Sequence, residues 1–340
     1  MNQTRPIEII GGGLAGLSLG LALRRAAVPV TLFEAGGYPR HRVCGEFITG
    51  LADATVERLG LGPLLDDALL HHEVAWFFDG RLTRRQRLPS PARALSRHRL
   101  DARLAQALVA AGGTLHTHAR AERDADTEGI IFASGRRRGS AQWLGLKIHA
   151  HRLPLHCDLE LHLGAESYIG LTQVEEGRVN ISGLFRRREL SAKGPALLLA
   201  YLRAANLGSL ADRLTGANFD ETSLSAVAAV DFDQHVPDTG RLALGDACAM
   251  IPPFTGNGMA MAFQSAELAL GPLVTYANNA ASWRETTTAI QSALQQRFRT
   301  RLAAADWLHP FLLQPPRQRW LTRLARARLL PLRPLYSVLH

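Results

Sequence analysis

A glycine-rich loop near the start of this 340-residue sequence has the residue types and spacing needed to bind a dinucleotide. The β-branched run Ile7–Ile10 predicts a short buried strand, and it leads directly into a G-x-G-x-x-G motif. Gly11 permits a tight turn out of the strand, Gly13 lets the backbone approach a pyrophosphate, and Gly16 lets the next helix pack closely on the sheet. The motif therefore predicts an anion site at the start of a helix.

The elements after this loop complete a βαβ unit. A helix is predicted over residues 14–27, and its amide groups and positive dipole end would face the phosphates. A second strand, Val30–Phe33, ends in Glu34, whose carboxylate would accept hydrogen bonds from ribose hydroxyls and repel a 2′-phosphate. The residues predicted here to contact an adenine dinucleotide, either FAD or NAD, are Gly11, Gly13, Leu14, Ala15, Gly16, Glu34 and Ala35.

A second glycine-bearing loop near residue 245 favours FAD over NAD. The predicted strand Arg241–Leu244 leads into Gly245-Asp246, and a glycine-rich segment then precedes a helix predicted over Met259–Leu270. Asp246 would accept hydrogen bonds from the hydroxyls of a ribityl chain. Backbone amides at 256–258, together with the helix dipole, would stabilise negative charge on a reduced flavin ring.

Three blocks of the sequence together resemble the superfamily of FAD-dependent aromatic hydroxylases and geranylgeranyl reductases, over about residues 5–275. They are the first loop with Glu34, the stretch Ser96–Asp101, and the segment LALGDACAMIPPFTGNGMAMAFQSAELA. The segment PRHRVCGEF, residues 39–47, is similar to the Cys-Gly loop of the geranylgeranyl-reductase branch, which lies against the flavin. The resemblance implies that Arg97 helps to hold FAD, that Asp246 binds the ribityl chain and that Cys44-Gly45 line the ring. Outside the first loop, the predicted cofactor-binding residues are Arg42, Cys44, Gly45, Arg97, Gly245, Asp246, Gly256, Asn257, Gly258 and Met259.

One segment departs from the hydroxylase pattern. Hydroxylases of this superfamily usually carry an Asp-Gly pair after a late strand, tied to both FAD and nicotinamide phosphates. The corresponding segment here is Gly129–Gly135, with Ser134 in place of the aspartate and Arg136–Arg138 after it. The electron donor therefore stays open between NAD(P)H and another reductant.

The remaining pattern predicts an α/β protein: a Rossmann-like FAD-binding domain with an inserted antiparallel β-sheet substrate domain and a C-terminal helical segment. A hairpin is predicted at Glu73–Phe78 and Leu82–Leu88, around Asp79-Gly80. Four further strands are predicted at 143–151, 157–163, 167–174 and 178–185, and helices at 101–111 and 195–204. The predicted domains are an FAD-binding domain at 1–70, 92–140 and 234–275, a substrate domain at 71–91 and 141–233, and a C-terminal helical region at 276–340.

Composition argues against several other classes of protein. Hydrophobic residues make up 46% and charged residues 20%, as in ordinary globular proteins. The cysteines Cys44, Cys157 and Cys248 lie far apart, which predicts a reducing, cytoplasmic setting without a disulfide framework. No run of about 20 uncharged apolar residues predicts a membrane span. The net charge of +9 is almost all arginine spread along the chain, without a nucleic-acid-binding motif, so no nucleic-acid partner is predicted.

The segment 315–340 carries six arginines and no acidic residue. Trp320, Leu321 and Leu324 lie near helical spacing, with Arg319 and Arg323 on the opposite side. Two interpretations follow. Either a helix packs on its own domain with a solvated arginine face, or the segment makes a weak contact with a membrane or an acidic partner protein, which would place a cytoplasmic protein at the membrane surface.

Three side chains are candidates for catalysis. Cys44 is either a small residue packed under the flavin or a thiol activated by Arg40 and Arg42. His149 and His151 share one face of a predicted strand, where they could bind substrate or relay a proton. No acid or cysteine completes a cluster at ligand spacing around them, so no metal is predicted. Aromatic residues that would line a pocket, or else pack in the core, are Trp76, Phe78, Tyr168 and Phe254.

These observations predict an FAD-dependent oxidoreductase with an apolar or aromatic small-molecule substrate. The hydroxylase resemblance implies a monooxygenase that hydroxylates its substrate through a flavin C4a-hydroperoxide, and this is the first prediction. The geranylgeranyl-reductase resemblance implies instead that hydride passes from the flavin to a carbon–carbon double bond, and Cys44-Gly45 favours that branch. A third alternative is a flavoprotein that modifies a side chain of a partner protein.

Overall fold

The computed structural model describes residues 4–78, 80–124, 127–136, 142–230, 241–327, 329 and 332–339. Its strands are β1 Ile7–Ile10, β2 Val30–Phe33, β3 Phe47–Ile48, β4 Leu69–Phe78, β5 Arg81–Ala94, β6 Thr114–His116, β7 Ile130–Phe132, β8 Trp143–His151, β9 Leu159–Gly164, β10 Ser167–Gln173, β11 Arg178–Arg186 and β12 Asn218–Val230. Its helices are α1 Leu14–Arg25, α2 Asp53–Leu59, α3 Gly62–Leu65, α4 Arg97–Ala110, α5 Pro195–Ala204, α6 Gly208–Leu214, α7 Gly258–Ala277, α8 Trp283–Leu313, α9 Pro315–Arg326 and α10 Leu332–Leu339.

A four-stranded parallel sheet forms the layer that contains the first glycine motif. Its strand order is β6-β2-β1-β7, with β1 paired in parallel to both β2 and β7. The apolar side chains of Ile7 and Ile9 are buried on one face of β1, as an inner strand requires. Gly20 lets α1 lie close to α4, because a Cβ there would already be 3.3 Å from Leu108 Cδ1. The predicted β1–α1–β2 unit is confirmed.

An eight-stranded sheet forms the second layer, in the order β12-β8-β11-β10-β9-β4-β5-β3. Its neighbouring strands are antiparallel, except that β4 and β9 run parallel. The predicted hairpin is confirmed as β4 and β5, although Asp79 of its turn lies outside the described residues. The four later strands of the prediction correspond to β8–β11, and the predicted helix at 195–204 is α5.

The two faces of this sheet bury different kinds of residue, because side chains alternate along a strand. On β8, Leu146, Ile148 and Ala150 pack into a hydrophobic cluster with α5 and α6. The alternate residues Lys147 and His149 therefore point to the other face. This inner face of the sheet is turned toward the loop after β2, since Gly145 lies under Val43.

Several element boundaries differ from the prediction. Residues 241–244 form one isolated bridge, Ala243 to Phe132, instead of a strand, because the short stretch pairs only with the end of β7. The helix predicted from residue 101 begins at Arg97, since the Ser96 hydroxyl accepts the Arg99 amide and caps it. The strands β3 and β12 were not predicted. β3 joins the edge of the antiparallel sheet although it precedes that sheet in sequence. The domain boundaries given above stay predictions.

The C-terminal helices pack against the inner face of the antiparallel sheet. A capping box of Ser282 and Glu285 starts α8, and the far end of this helix buries Leu312 and Leu313 beside Leu161 and Leu163 of β9. The predicted helical tail is confirmed as α9 and α10 within the described residues. Among the helices that the structure describes, none is long and apolar enough to cross a membrane.

Candidate functional site

The first glycine loop leaves open space at the start of α1. Gly11 has a φ of +114° and lies against the backbone of Ala133, where a Cβ would overlap the carbonyl group. A Cβ at Gly16 would likewise overlap the carbonyl oxygen of Gly11. At Gly13, by contrast, a Cβ would meet no atom within 4 Å. The loop is therefore closely packed on one side and open on the side where the helix amides point, which suits an anion.

Glu34 joins the glycine loop to the segment after β2. Its two carboxylate oxygens accept the amide hydrogens of Gly12 and Gly36, each at 2.8 Å. Arg40 and Arg42 each lie 3.7 Å from this carboxylate. A carboxylate has further lone pairs, so Glu34 can still accept hydrogen bonds from ribose hydroxyls.

Arg42 has a donor to spare at this position. Its Nε is 3.0 Å from the buried Asp101 carboxylate, while its buried Nη2 has no hydrogen-bond acceptor in the described part of the chain. Nη2 lies 3.7 Å from Glu34 Oε2, beyond hydrogen-bond distance, so it is free to donate to a further acceptor.

The second glycine loop meets the first in space. A Cβ at Gly245 would lie 3.1 Å from the Ala15 side chain, and the Gly245 amide donates to Ser265 of α7 at 3.0 Å. Asp246 has surface exposed to solvent. The protein around its carboxyl group raises the pKa of this group, and the positive charges of Arg97 and Arg136 partly offset that increase. Two motifs more than two hundred residues apart thus form one cleft.

Arg97 lies between this cleft and the Cys44 segment. Its guanidinium binds the Asp101 carboxylate through Nε at 2.7 Å and Nη2 at 2.8 Å. Its positive charge favours the thiolate of Cys44, but burial has the larger effect and raises the pKa of the thiol. The alternative that Arg40 and Arg42 activate Cys44 finds no support, because both arginines face Glu34. The structure favours Cys44 as a packed thiol over a reactive thiolate.

The glycines at 45 and 258 also border open space. A Cβ at either one would meet no atom within 4 Å. The two loops are neighbours, since a Cβ at Gly256 would lie 3.1 Å from Thr49 and 3.3 Å from Phe47. Asn257 holds its loop by donating from Nδ2 to the Leu339 carbonyl at 2.8 Å. Met259 is buried in the first turn of α7. Ala35 is exposed beside Glu34.

An apolar and aromatic region covers the inner face of the antiparallel sheet next to these loops. The four aromatic residues proposed to line a pocket, Trp76, Phe78, Tyr168 and Phe254, all belong to one cluster with Leu312 and Leu313 of α8. Tyr168 is edge-on to Phe254, with ring centroids 6.3 Å apart, and Phe254 stacks on His309 at 5.8 Å.

The middle of this face is more open than its surroundings. Gly170 and Ser182, directly opposite each other on β10 and β11, are only half-buried, while Tyr168, Leu184, Thr172 and Asn180 on either side are buried. Half-exposed residues in the centre of a covered sheet mark a space above them. We call this space the chamber.

The two candidate histidines on β8 separate into different environments. His149 is fully buried, and its Nε2 lies 2.6 Å from Glu46 Oε2. His151 is exposed at the end of the strand. Among the described residues, no group of three or more His, Cys, Asp or Glu side chains could hold a metal ion.

Sequence reasoning missed three buried polar residues near the site: Glu46, Lys147 and Asn180. Lys147 could have been noticed, because the chain has only two lysines and this one lies within an apolar strand. Glu46 and Asn180 carry no such signal, since their role depends on which loop covers β8 and β11.

Comparison with known proteins identifies the fold. No family model matches the chain. The curated menaquinone reductase of Mycolicibacterium smegmatis is 33% identical over 72 residues, which is 21% of this chain and only 18% of that protein. Solved structures match over nearly the whole chain. PqsL of Pseudomonas aeruginosa, described as a probable FAD-dependent monooxygenase and also solved with 2-aminobenzoylacetate, superposes with a TM-score of 0.72 at 16% identity, over 93% of this chain and 98% of its own.

Two further structures give the same result. HpxO of Klebsiella pneumoniae, solved with FAD and uric acid, has a TM-score of 0.75 at 15% identity, over 98% of this chain and 96% of its own. The p-nitrophenol 4-monooxygenase PnpA of Pseudomonas putida has a TM-score of 0.73 at 14% identity, over 100% and 97%. The chain has the FAD-dependent monooxygenase fold. In this monooxygenase fold Ser134, the serine that replaces an expected aspartate, lies beside Gly11 of the first turn.

Proposed function

We propose that the chain is an FAD-dependent monooxygenase that hydroxylates a small aromatic or apolar molecule. The observation that carries this proposal is the contact of Gly245 in the second glycine loop with Ala15 in the first, with open space at Gly13 and at Gly258. An elongated cofactor with a pyrophosphate at one end and a flat ring at the other fits such a cleft. The monooxygenase fold supports the choice of FAD.

Each part of the cleft has residues suited to one part of FAD. The amides at Gly13, Leu14 and Ala15 would bind the pyrophosphate, with the spare donor of Arg42 beside them. Glu34 would hold the ribose, and Asp246 the ribityl chain. Cys44-Gly45 and the loop 256–258 would lie against the ring, because both border open space and neighbour each other.

When bound, FAD supplies the electrons and the oxygen chemistry of the reaction, and the protein controls what reaches the ring. The aromatic cluster beside the chamber excludes water and provides an apolar surface for a flat substrate. The helix dipole of α7 and the amides at its start would stabilise negative charge on a bound flavin ring. Arg97 is held in place for an anionic group by its two hydrogen bonds to Asp101.

The electron donor is part of the proposal. We assign it to NAD(P)H, with Arg136 as the positive charge at the mouth of the cleft, where it acts on Asp246. The other two members of the arginine run, at 137 and 138, lie outside the described residues.

One experiment separates this function from alkene reduction. The purified protein is loaded with FAD, reduced anaerobically by NADPH or NADH, and then mixed with oxygen and a panel of phenols or of isoprenoid alkenes. Hydroxylated phenol supports the proposal. Saturated alkene formed without oxygen would refute it, as would failure of the protein to retain FAD.

We further propose that the C-terminal helices touch an anionic membrane surface in the cytoplasm. Trp307 and Trp320 are 64% and 53% exposed, and both pack on Phe311, with ring centroids 5.2 and 5.8 Å away. Arg319 and Arg323 are exposed near Trp320 on α9. Exposed indole rings beside arginines suit the headgroup region of anionic lipids. The free state of all three cysteines agrees with a reducing compartment.

Sedimentation with lipid vesicles tests this contact. Wild-type protein should pellet with vesicles that contain phosphatidylserine and stay in solution with phosphatidylcholine alone. The Trp320→Ala and Arg319→Gln/Arg323→Gln variants should lose most of this binding, whereas Val109→Ala, an equally exposed apolar position on α4, should keep it. Equal binding by all variants would exclude the helical surface as the contact.

A further inference from the structure

Two buried hydrogen-bond donors at one edge of the inner face have no acceptor in the described part of the chain. They are Trp76 Nε1 on β4 and Arg84 Nη1 on β5. The two residues are directly opposite each other in the β4–β5 pairing, so their side chains leave the sheet on the same side, about 5 Å apart at Cβ. Buried donors are almost always paired in native structures, so two neighbouring unpaired donors point to a ligand that brings an acceptor.

The surroundings of this pair of donors are positively charged. β5 contains five arginines and α9, which packs against β5, contains four, while neither element has an acidic residue. No acidic side chain that the structure describes pairs with Arg84. The next residue, Arg85, points to the opposite face and donates from Nε to Glu73 at 2.9 Å. A region of one charge attracts the opposite charge, so the missing acceptor is an anion.

An apolar surface continues from the donors toward the C-terminal helices. Trp76 belongs to the aromatic cluster, together with Phe78 on the same strand and Leu321 of α9. Trp76 and Arg84 keep part of their surface exposed, although the two donor atoms themselves are covered. The long Arg84 side chain rotates about several bonds, so its guanidinium can turn toward a ligand in the exposed space. This place therefore suits the acidic end of a molecule whose remainder is apolar.

The donors lie in the same row of the sheet as the floor of the chamber. Trp76 is opposite Leu161 of β9. Leu161 is in turn opposite Gly170 of β10, which forms the floor with Ser182. Paired residues share one face and neighbouring strands are about 4.8 Å apart, so Trp76 lies about 10 Å from Gly170 along the row. A molecule that reaches both the floor and the two donors must therefore be elongated.

We propose that Trp76 and Arg84 bind the carboxylate of an elongated amphipathic acid whose aromatic or apolar end lies in the chamber. This inference rests on the proposed function and specifies its substrate class. The acid group is about 10 Å from the end that lies on the floor, so a compact aromatic acid such as benzoate is too short to reach both places. One guanidinium balances one negative charge, which suits a carboxylate better than a doubly charged phosphate. The two residues determine specificity and take no part in the chemical step.

Isothermal titration calorimetry on the FAD-loaded protein tests the inference with phenylalkanoic acids of increasing length. Benzoate, 3-phenylpropanoate and 6-phenylhexanoate are each compared with the neutral amide of the same length, so that the contribution of apolar burial cancels. In 6-phenylhexanoate the carboxylate lies about 10 Å from the centre of the ring. At this length we expect the acid to bind about 10- to 100-fold more tightly than the amide, whereas benzoate should exceed benzamide by less than about threefold.

Substitutions at the two donors separate recognition of the acid from packing. Arg84→Gln should reduce the preference for 6-phenylhexanoate over its amide to about threefold or less and leave the affinity for the amide unchanged, while Arg84→Lys, which keeps the charge, should retain more of the preference. Trp76→Phe keeps a ring in the cluster but removes the N–H group, so the preference should fall by about threefold or more. Arg85→Gln is the matched control and should behave as the wild type, because Arg85 is exposed on the same strand and faces the other side.

The outcomes distinguish this inference from the proposed function. Failure to retain FAD refutes the proposed function, and the titrations can then be repeated on the cofactor-free protein. A preference for the acid below about threefold at every length, a preference that is greatest for benzoate, or an equal preference in Arg84→Gln overturns the carboxylate site. Competition of inorganic phosphate with 6-phenylhexanoate would overturn the choice of a carboxylate. Thermal unfolding of each variant shows whether it has folded.

Discussion

Replacing Gly13 with alanine should strongly weaken cofactor binding without weakening the fold. A methyl group at this position meets no protein atom within 4 Å, and the backbone angles of −88° and −171° are open to any residue. Loss of a flexible glycine stabilises a chain by about 0.4–1 kcal/mol, while alanine is a poorer residue than glycine at a helix N-cap. The two effects oppose each other, so the free energy of unfolding of the cofactor-free protein should change by less than about 1 kcal/mol.

The loss in binding should be much larger. The methyl group occupies the space through which a pyrophosphate would reach the amides of α1, and hydrogen bonds to a charged group are worth about 1.5–3 kcal/mol each. Loss of one or two such bonds gives about 3 kcal/mol, or roughly a 100-fold increase in the dissociation constant of FAD. Quenching of flavin fluorescence measures the affinity, and urea denaturation of the cofactor-free protein measures the stability.

Gly16→Ala is the matched control. Its methyl group would overlap the carbonyl oxygen of Gly11, which is backbone and cannot move aside cheaply. This variant should lose several kcal/mol of folding stability even without FAD. The reasoning fails if Gly13→Ala binds FAD within threefold of wild type, or if it destabilises the cofactor-free protein as much as Gly16→Ala does.

Three further predictions concern single side chains in the antiparallel sheet and its covering segment. Glu160→Gln should lower stability at pH 7 by about 3 kcal/mol, because it breaks a buried ion pair with Arg213 and weakens the hydrogen bond to His162. Burial opposes ionisation of Glu160, but its hydrogen bonds hold the folded-state pKa below the ordinary value. Its contribution to stability is therefore present above about pH 4.3 and is lost as the pH falls below that value. The free energy of unfolding should depend less steeply on pH in the variant than in the wild type when both are titrated with acid. Cys44 should react with iodoacetamide at least tenfold more slowly than free cysteine at pH 8, since burial raises the pKa of its thiol. Peptide mass spectrometry measures the rate, and fast labelling would show that Cys44 is a thiolate. Tyr168→Phe should change KM for phenols and leave the thermal unfolding temperature almost unchanged, because the ring packing with Phe254 is retained. A lower unfolding temperature with an unchanged KM would assign Tyr168 to the core.

Much of the fold follows from local signals in the sequence. The β1–α1–β2 unit is fixed by a β-branched strand, glycines at set spacing and a terminal acid, and each of these acts over a few residues. The strands β8–β11 were predicted because turns such as Glu175-Glu176-Gly177 separate short apolar runs. Local patterns of this kind survive in the tertiary structure.

The rest depends on contacts between distant residues. β3 has only two residues and exists because Phe47 and Ile48 find a partner in β5. The segment 241–244 has the composition of a strand, but only Ala243 lies opposite a free position on β7. Glu46, Lys147 and Asn180 come together from a loop and two strands, so no spacing in the sequence predicts that they lie close to one another. The candidate histidines show the same limit, because His149 and His151 look alike in sequence and only the covering loop makes them different.

The segment from Arg40 to Glu46 is anchored at both ends and along its length. Arg40 contacts Glu34 of the nucleotide layer, Val43 rests on Gly145, the Cys44 carbonyl is held by Asn180, and Glu46 by His149. A segment held at this many points cannot move independently of the elements that it contacts. The position of Cys44-Gly45 is therefore tied to the position of β8 and β11, so a substitution that shifts either strand should also shift these two residues.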